Sequence, residues 1–246
     1  MARMKFMNTE IDNLTMQETL QAIDQLIREN KSAYVVTPNV DHIVQLETNK
    51  ELQAVYKNAS LILTDGKPLL WIANWYGTPI KEKISGSDLF PLLCKMAAEK
   101  GYKMFFLGAA EGVAAKAAEN LMNRFKGLQV TGTYSPPFGF EKDPVEMDKI
   151  KSMIKASGAD ILIVGLGCPK QEKFMYHHCA ELGVPISFGL GASFDFEAGN
   201  IKRAPRWMAN HGLEWLFRIT QDPKRMAKRY LVDDRKILGL AIKYRK

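Results

Sequence analysis

A carboxylate, Asp65, stands at the end of a short apolar run and beside a glycine, Gly66. At the end of a buried strand such a group can take a proton from a substrate as a general base. It can equally cap a helix, and Lys67 followed by proline is a typical helix start. The position alone favours the cap, so the assignment of a base depends on other features of the chain.

Thr37 and Asn39 occupy the corresponding position after the apolar run 33–36. Their neutral side chains can form hydrogen bonds with a ligand, because an α/β fold binds its ligands at the carboxyl ends of its strands. They can also cap the helix that follows. The residues themselves leave both interpretations open.

The run 161–164 is followed by two glycines, Gly165 and Gly167, and then by Pro169 and Gln171. This order predicts a buried strand, a tight turn and a helix that begins near the proline. A helix N-terminus at a strand end binds phosphate or another anion well. A structural turn of any α/β protein explains the two glycines equally well.

Short apolar runs alternate with helical segments of 10–15 residues, which predicts an α/β fold with a Rossmann-like, mostly parallel sheet flanked by helices. We expect an α/β body over residues 1–200, with possible sub-units 1–100 and 101–200. A helical appendage without strands follows over residues 201–246. The expected strands are 33–36, 61–63, 103–107, 128–133, 161–164 and 185–188.

The excess of positive charge lies in the appendage. Residues 201–246 hold 13 Lys and Arg against four Asp and Glu, whereas the whole chain has a net charge of +7. Three cysteines without a Cys-x-x-Cys pair are typical of a reducing cytoplasm. The first residues lack a signal-peptide core, and no stretch has the ~20 apolar residues of a membrane span. The sequence therefore predicts a cytoplasmic protein that is soluble or peripheral to a membrane.

No Asp-x-Asp triplet is present, and the four histidines show no ligand spacing, so no metal or other cofactor is expected. Cys168 is a candidate nucleophile, but no nearby motif supports that role. The oligomeric state stays open, and a homo-oligomer is among the states that the sequence allows.

An oxidoreductase and a nucleic-acid-binding module are the two alternative function classes. An NAD-dependent oxidoreductase would share the fold class, but Gly165-Leu-Gly167 does not continue into Gly-x-Gly-x-x-Gly. The acidic residue that would bind the ribose of NAD is also not evident. A nucleic-acid-binding module would explain the basic appendage. Its cations, however, are interleaved with Trp, Leu and Phe, and no recognised nucleic-acid motif occurs, so no nucleic acid is expected.

Several motifs together resemble the WecG/TagA/CpsF glycosyltransferases (glycosyltransferase family 26) over about residues 5–230. They are Thr37-Pro-Asn39, Thr64-Asp-Gly66, Gly86-Ser-Asp88, Gly165-Leu-Gly-Cys-Pro-Lys-Gln-Glu172, the stretch 189–195, Lys202-Arg-Ala-Pro205 and Gly212-Leu-Glu-Trp-Leu-Phe-Arg218. The resemblance implies inverting sugar transfer from a UDP donor to a polyprenyl-diphosphate-linked acceptor. In the branch that the chain resembles most, the donor is UDP-N-acetylmannosamine, the acceptor is undecaprenyl-diphosphate-N-acetylglucosamine, and the product enters wall teichoic acid synthesis. A related UDP-sugar, such as one of N-acetylmannosaminuronic acid or another hexose, is the alternative donor.

The resemblance also reverses the preference at Asp65, which becomes the expected base for the acceptor hydroxyl. The substrate-binding residues that we expect beside it are Thr37, Asn39, Gly66, Lys83, Tyr134, Gly167, Gln171, Asp195, Arg218, Arg225 and Lys228. Thr37 and Asn39 suit sugar hydroxyls or the acetamido group. Gly167 and Gln171 suit the diphosphate or nucleotide. Asp195 and Tyr134 suit the uracil or ribose, although Tyr134 can also serve loop packing.

Two positions depart from the family pattern. Lys83 stands where the family often has arginine, and Lys228 ends the basic series Arg218, Arg225, Lys228. Lysine neutralises a phosphate but lacks the two-pronged hydrogen bonding of arginine. The basic, aromatic-rich appendage is expected to bind an anionic membrane surface at the cytoplasmic face, where a lipid-linked acceptor lies.

Overall fold

A computed structural model describes residues 3–245, except for the side chains of Arg206, Asn210 and Arg225. A hairpin of β1 (Arg3–Phe6) and β2 (Thr9–Asp12) precedes a six-stranded parallel sheet in the order β4-β3-β8-β7-β5-β6. Its strands are β3 (Ala33–Val36), β4 (Leu61–Ile62), β5 (Lys103–Gly108), β6 (Gln129–Tyr134), β7 (Ile161–Gly165) and β8 (Ile186–Gly189). The predicted Rossmann-like α/β class is confirmed.

Helices cover both faces of this sheet. Thr15 and Glu18 form a capping box at the start of the first helix, and Gly101 ends the fifth in a left-handed conformation. The helices of the body are α1 (Met16–Glu29), α2 (Val40–Leu46), α3 (Lys50–Asn58), α4 (Lys67–Trp75), α5 (Gly86–Lys100), α6 (Val113–Arg124), α7 (Pro144–Ser157), α8 (Lys170–Leu182) and α9 (Ser193–Ala198).

The inner strands β3, β7 and β8 are buried on both sides, which explains their largely apolar sequences. In β3, Val36 faces one hydrophobic core and Val35 faces the other. In β7, Leu162 and Ile163 divide between the two cores in the same way. The edge strand β6, by contrast, is partly exposed and carries polar residues.

The hairpin closes the β4 edge of the sheet. Asp12 accepts a hydrogen bond of 2.8 Å from the backbone N–H of Ile62 through Oδ2. Arg3 pairs with the same carboxylate at 3.2 Å and donates to the carbonyl of Ala59. The edge of the short strand β4 is therefore bound to the hairpin.

The appendage packs back onto the body through four short helices and a π-helical turn, Arg229–Asp233. The helices are α10 (Arg206–Asn210), α11 (Glu214–Gln221), α12 (Pro223–Lys228) and α13 (Lys236–Tyr244). Tyr76 donates a hydrogen bond of 2.6 Å to the carbonyl of Ala241 in α13. Within 201–245 the described chain contains no strand. No helix in the described chain is long and apolar enough to cross a membrane.

Both predicted sub-units contribute strands to one sheet. β3 and β4 come from residues 1–100, and the other four come from 101–200. The junction between them is the parallel pairing of β3 with β8.

Candidate functional site

A cleft of about 540 Å³ lies along the carboxyl edge of the sheet; we call it the sheet cleft. It is within the roughly 300–1,000 Å³ typical of small-molecule sites. Residues after β3, β4, β5, β7 and β8 line it, because the carboxyl ends of parallel strands meet at one edge. Its lining includes the predicted residues Thr37, Asn39, Asp65, Gly167, Gln171, Asp195 and Arg218.

Asp65 does not cap a helix. The N-cap of α4 is Gly66, and no side chain caps that helix end. No hydrogen bond or ion pair of the described residues involves the Asp65 carboxylate, although its backbone N–H donates to Pro38. Burial raises the pKa of Asp65 to about 6, against the opposing charges of Arg218 and Lys83. Asp65 lines the sheet cleft, and a carboxyl group with a pKa of about 6 can accept a proton near neutral pH, as a general base must.

A second cleft of about 390 Å³ lies between α4 and the appendage; we call it the appendage cleft. Most of its wall comes from the appendage, chiefly from α11, the π-helical turn, α13 and the residues beside them. Its apolar lining includes Val40, Pro68, Trp215, Tyr230, Leu231, Ile237 and Leu238. Asn39, Asp65, Arg218 and Arg229 line both clefts. Asp65 thus lies where a polar cleft and a largely apolar cleft meet.

Arg229, which the sequence analysis did not select, is a basic residue of the site. Its Nη2 donates a hydrogen bond of 3.1 Å to Oδ1 of Asn39 and lies 3.9 Å from a carboxylate oxygen of Asp41. The sequence instead predicted a substrate contact for the neighbouring residue Lys228, which is exposed and lines neither cleft. Arg218 lies over the ring of Phe196, 5.4 Å from its centroid.

The basic series of the appendage is divided between two helices. α11 ends at Gln221 and α12 begins at Pro223, so Arg218 and Lys228 belong to different helices. Arg225, the third member of the series, is in α12, and its side chain lies outside the described structure. Its predicted substrate contact stays a prediction.

Lys83 joins the body to the appendage. Its Nζ lies 3.3 Å from Asp88 and 3.4 Å from Glu214 of α11. Burial opposes its charge, but the carboxylates of Glu214 and Asp88 raise the pKa of Lys83 above its ordinary value. Lys83 lines neither cleft, yet its charge acts on Asp65.

Tyr134 lies outside both clefts as well. Its hydroxyl donates to Glu146 and accepts from Lys149, whose ammonium also lies 4.5 Å from the ring centroid. This arrangement corresponds to the loop-packing alternative for Tyr134.

The glycine loop before α8 does two different things. An added Cβ at Gly165 would lie 2.5 Å from the ring of Phe194, so this glycine makes room for the core. Gly167 has a φ of +78° and open space around it, so its backbone borders the cleft. At the helix start Gln171 is buried, and its Nε2 donates a hydrogen bond of 2.8 Å to Glu172.

Two acidic residues of the site, Glu172 and Asp234, were not predicted as site residues from the sequence. Glu172 is 1% exposed and lies 3.2 Å from Nε2 of His42. Asp234 lines the appendage cleft, and burial raises its pKa to about 6 against the nearby charge of Arg229. Asp234 is thus a second carboxyl group that can accept a proton near neutral pH. Glu172 meets His42 across 130 positions, so no local pattern reveals that pair. Asp234 lies only five positions after its partner Arg229, but its burial in the cleft wall is not visible in the local sequence.

The sequence matches the model of the Glycosyl transferase WecG/TagA/CpsF family over residues 4–246. A protein of Bacillus spizizenii named N-acetylglucosaminyldiphosphoundecaprenol N-acetyl-beta-D-mannosaminyltransferase is 33% identical over 223 residues, which are 91% of this chain and 83% of the relative. A protein of Bacillus subtilis with the same name is 30% identical over 203 residues, or 82% and 75% of the two chains. These similarities favour sugar transfer over the oxidoreductase alternative.

Proposed function

The chain belongs to the glycosyl transferase WecG/TagA/CpsF family and is a glycosyltransferase, and from this premise we propose its reaction. It transfers N-acetylmannosamine from UDP-N-acetylmannosamine to undecaprenyl-diphosphate-N-acetylglucosamine, with inversion and without a metal ion. The product serves the synthesis of the teichoic acid linkage unit. The names of both relatives support this sugar and this acceptor.

The observation that carries the proposal is the position of Asp65 at the meeting of the two clefts. A transferase must bind a donor and an acceptor on either side of one proton acceptor. Two clefts that meet at Asp65 provide a separate binding site for each substrate. We assign the UDP-sugar to the sheet cleft and the lipid-linked sugar to the appendage cleft. The Asp65 carboxylate takes the proton of the acceptor hydroxyl as that oxygen attacks the anomeric carbon. The bond from this carbon to the diphosphate breaks, and UDP leaves with the electron pair.

Positive groups of this chain support the departing diphosphate. Arg218 and Arg229 line the sheet cleft, and α8 directs its N-terminus at the same edge of the sheet. Fixed cations and helix N-termini stabilise negative charge as it develops on a leaving group. Thr37, Gln171 and Asp195 offer hydrogen bonds to the sugar and nucleoside parts.

The apolar wall of the appendage cleft supports the choice of acceptor. Tyr230, Ile237 and Leu238 present a surface suited to the first isoprene units of a lipid carrier, while Arg218 and Arg229 suit its diphosphate. Burial of apolar surface contributes roughly 25 cal/mol per Å². The cleft therefore combines the two chemistries of a polyprenyl diphosphate.

A surface patch beside this cleft supports binding at a membrane. Trp71, Trp75, Leu238 and Ile242 are 54%, 44%, 70% and 69% exposed, and we call them the apolar patch. The C-terminal end of α4 meets α13 there, since Tyr76, which follows α4, donates a hydrogen bond to the carbonyl of Ala241 in α13. The guanidinium of Arg245, directly after α13, lies 4.2 Å from the ring centroid of Trp75. Exposed aromatic and aliphatic side chains flanked by cations suit the interface of an anionic leaflet. We propose that this patch holds the enzyme at the cytoplasmic face.

The reaction is tested with a panel of UDP-sugars and a synthetic lipid-diphosphate-N-acetylglucosamine acceptor. UDP-N-acetylmannosamine is expected to yield the disaccharide lipid, and UDP-N-acetylglucosamine and a UDP-mannosaminuronic acid are the matched comparisons. A clear preference for either comparison donor would replace the proposed sugar. Failure of all donors with this acceptor would reject the proposed acceptor.

The membrane role is tested with vesicles that contain anionic lipid. The double variant Leu238→Ser, Ile242→Ser is expected to bind them at least tenfold more weakly, since two apolar anchors are lost. Met122→Ser, which changes an exposed apolar residue on α6, is the matched control. Equal vesicle binding by the double variant and the control would contradict the role of the patch.

A further inference from the structure

Three side chains with metal-binding atoms meet at the side of the sheet cleft where α2 and the glycine loop approach each other. His42, Cys168 and Glu172 each offer one such atom, and these atoms lie within 4.8 Å of one another. His42 is in α2, Cys168 is in the loop after β7, and Glu172 is in the first turn of α8. Among the described residues this is the one group of at least three potential ligands.

Glu172 is not satisfied by its protein neighbours. Its Oε1 accepts from Gln171 Nε2 at 2.8 Å and lies 3.2 Å from Nε2 of His42. Its Oε2 is buried and has no hydrogen-bond partner among the described residues. An unpartnered carboxylate oxygen in a residue that is 1% exposed is costly unless something binds it.

We propose that His42, Cys168 and Glu172 form a binding site for one zinc ion in the wall of the sheet cleft. One thiolate, one imidazole and one carboxylate are ligands that zinc accepts, whereas magnesium prefers oxygen alone. Oε2 of Glu172 serves as the oxygen ligand, so Oε1 keeps its hydrogen bond from Gln171.

The spacing of the three atoms is compatible with a zinc site. Ligand bonds of about 2.0–2.3 Å place tetrahedral ligands roughly 3.3–3.8 Å apart. The three atoms lie within 4.8 Å of one another, so they need to close by at most about 1.5 Å when the ion binds. Because His42 and Cys168 also line the sheet cleft, the fourth position opens toward it and is available to water or another ligand.

Zinc binding at this site releases protons. The Cys168 thiol must lose its proton when the metal binds, because the thiolate is the form that coordinates a metal ion. The imidazole of His42 must also be neutral in order to coordinate. Affinity for zinc is therefore expected to increase with pH across the neutral range.

The test uses the metal-free, full-length protein and titration with Co²⁺ as a spectroscopic substitute for zinc. We expect one equivalent to bind with a thiolate-to-cobalt charge-transfer band and to be displaced by Zn²⁺ but not by Mg²⁺. Cys168→Ala is expected to lose the band, whereas Cys179→Ala, a cysteine of α8 outside the cluster, keeps it. Absence of the band in the wild type, or its persistence in Cys168→Ala, would overturn the site.

Glu172→Gln tests the third ligand. Zinc affinity is expected to fall by more than the roughly 10–100-fold that follows loss of an outer partner. Circular dichroism and urea unfolding show whether this variant keeps its fold. A folded variant with wild-type zinc affinity would remove Glu172 from the site and overturn the three-ligand assignment.

Discussion

Asn39 and Arg229 lie 190 positions apart in the chain, yet Nη2 of Arg229 donates a hydrogen bond of 3.1 Å to Oδ1 of Asn39. Asn39 ends the loop after β3 and caps α2, whereas Arg229 opens the π-helical turn of the appendage. The bond therefore joins the sheet edge to the appendage where the two clefts meet.

We expect this pair to couple the body to the appendage. A hydrogen bond to a charged group contributes about 1.5–3 kcal/mol, so Arg229→Ala should lower the free energy of unfolding by about that amount. Lys228→Ala, at the exposed neighbouring position, should change it by less than about 0.5 kcal/mol. A double-mutant cycle with Asn39→Ala measures the pair by urea unfolding. A coupling energy near zero would show that the two residues act independently.

Asp65→Asn is expected to reduce turnover by about 10²–10⁴-fold, because the amide cannot take the proton of the acceptor hydroxyl. UDP affinity should change little, since the base acts on the acceptor and not on the nucleotide. Steady-state kinetics and calorimetry with UDP measure the two effects. Asp234→Asn is the matched comparison in the same region. Greater loss of turnover in Asp234→Asn than in Asp65→Asn would transfer the role of base to Asp234.

The pH profile provides an independent check. Since burial raises the pKa of Asp65 from 3.8 to about 6, the base becomes protonated as the pH falls through 6. The ratio kcat/KM should therefore decrease about tenfold per pH unit below that point. Asp234 titrates in the same range, so the profile is also measured in Asp234→Asn, where the acid limb should remain. Its disappearance in that variant would contradict the assignment.

The same substitution, Asp65→Asn, should stabilise the fold at neutral pH. The folded pKa of about 6 exceeds the reference value of 3.8, so the folded state holds the proton more tightly than the unfolded state. Above pH 6 the ionised carboxylate therefore opposes folding, and its removal should add about 1–2 kcal/mol after allowance for partial exposure. The gain should shrink as the pH falls through 6 toward 3.8. A gain that does not vary with pH in urea unfolding would argue against this origin.

Transfer is expected to survive EDTA, because Arg218, Arg229 and the N-terminus of α8 stand where a metal ion would otherwise balance the diphosphate. Initial rates before and after chelation provide the measurement. A loss of rate that Mg²⁺ or Mn²⁺ restores would mean that a divalent ion takes part in the reaction. The proposed transfer assigns no role to the inferred zinc site. The expectation therefore concerns only a metal ion bound to the diphosphate.

Features that depend on neighbouring residues were predictable from the sequence. The capping box of Thr15 and Glu18 and the helix end at Gly101 follow from local hydrogen bonding and backbone geometry. The sheet follows from short apolar runs that must be buried on two faces. The β1–β2 hairpin was missed because its strands, Arg3–Phe6 and Thr9–Asp12, contain mostly polar residues.

The candidate site was only partly predictable. Thr37, Asn39 and Asp65 follow strands, and the parallel sheet brings them to one edge. By contrast, Glu172 is close to His42 only through packing of α8 against α2, and Lys83 meets Glu214 across 131 positions. Such pairs have no local signal, since each residue has the ordinary pattern of a solvated polar side chain.

The unequal construction of the two clefts has an evolutionary consequence. The sheet cleft is formed mainly by residues at the strand ends, where a substitution also disturbs a core, whereas the appendage supplies most of the appendage cleft. Residues such as Leu231 and Leu238 are exposed and can change at little cost to the body. Selection can therefore diversify the appendage wall while the sheet edge stays constant. Chimaeras that exchange appendages between relatives are a direct route to enzymes with altered acceptors.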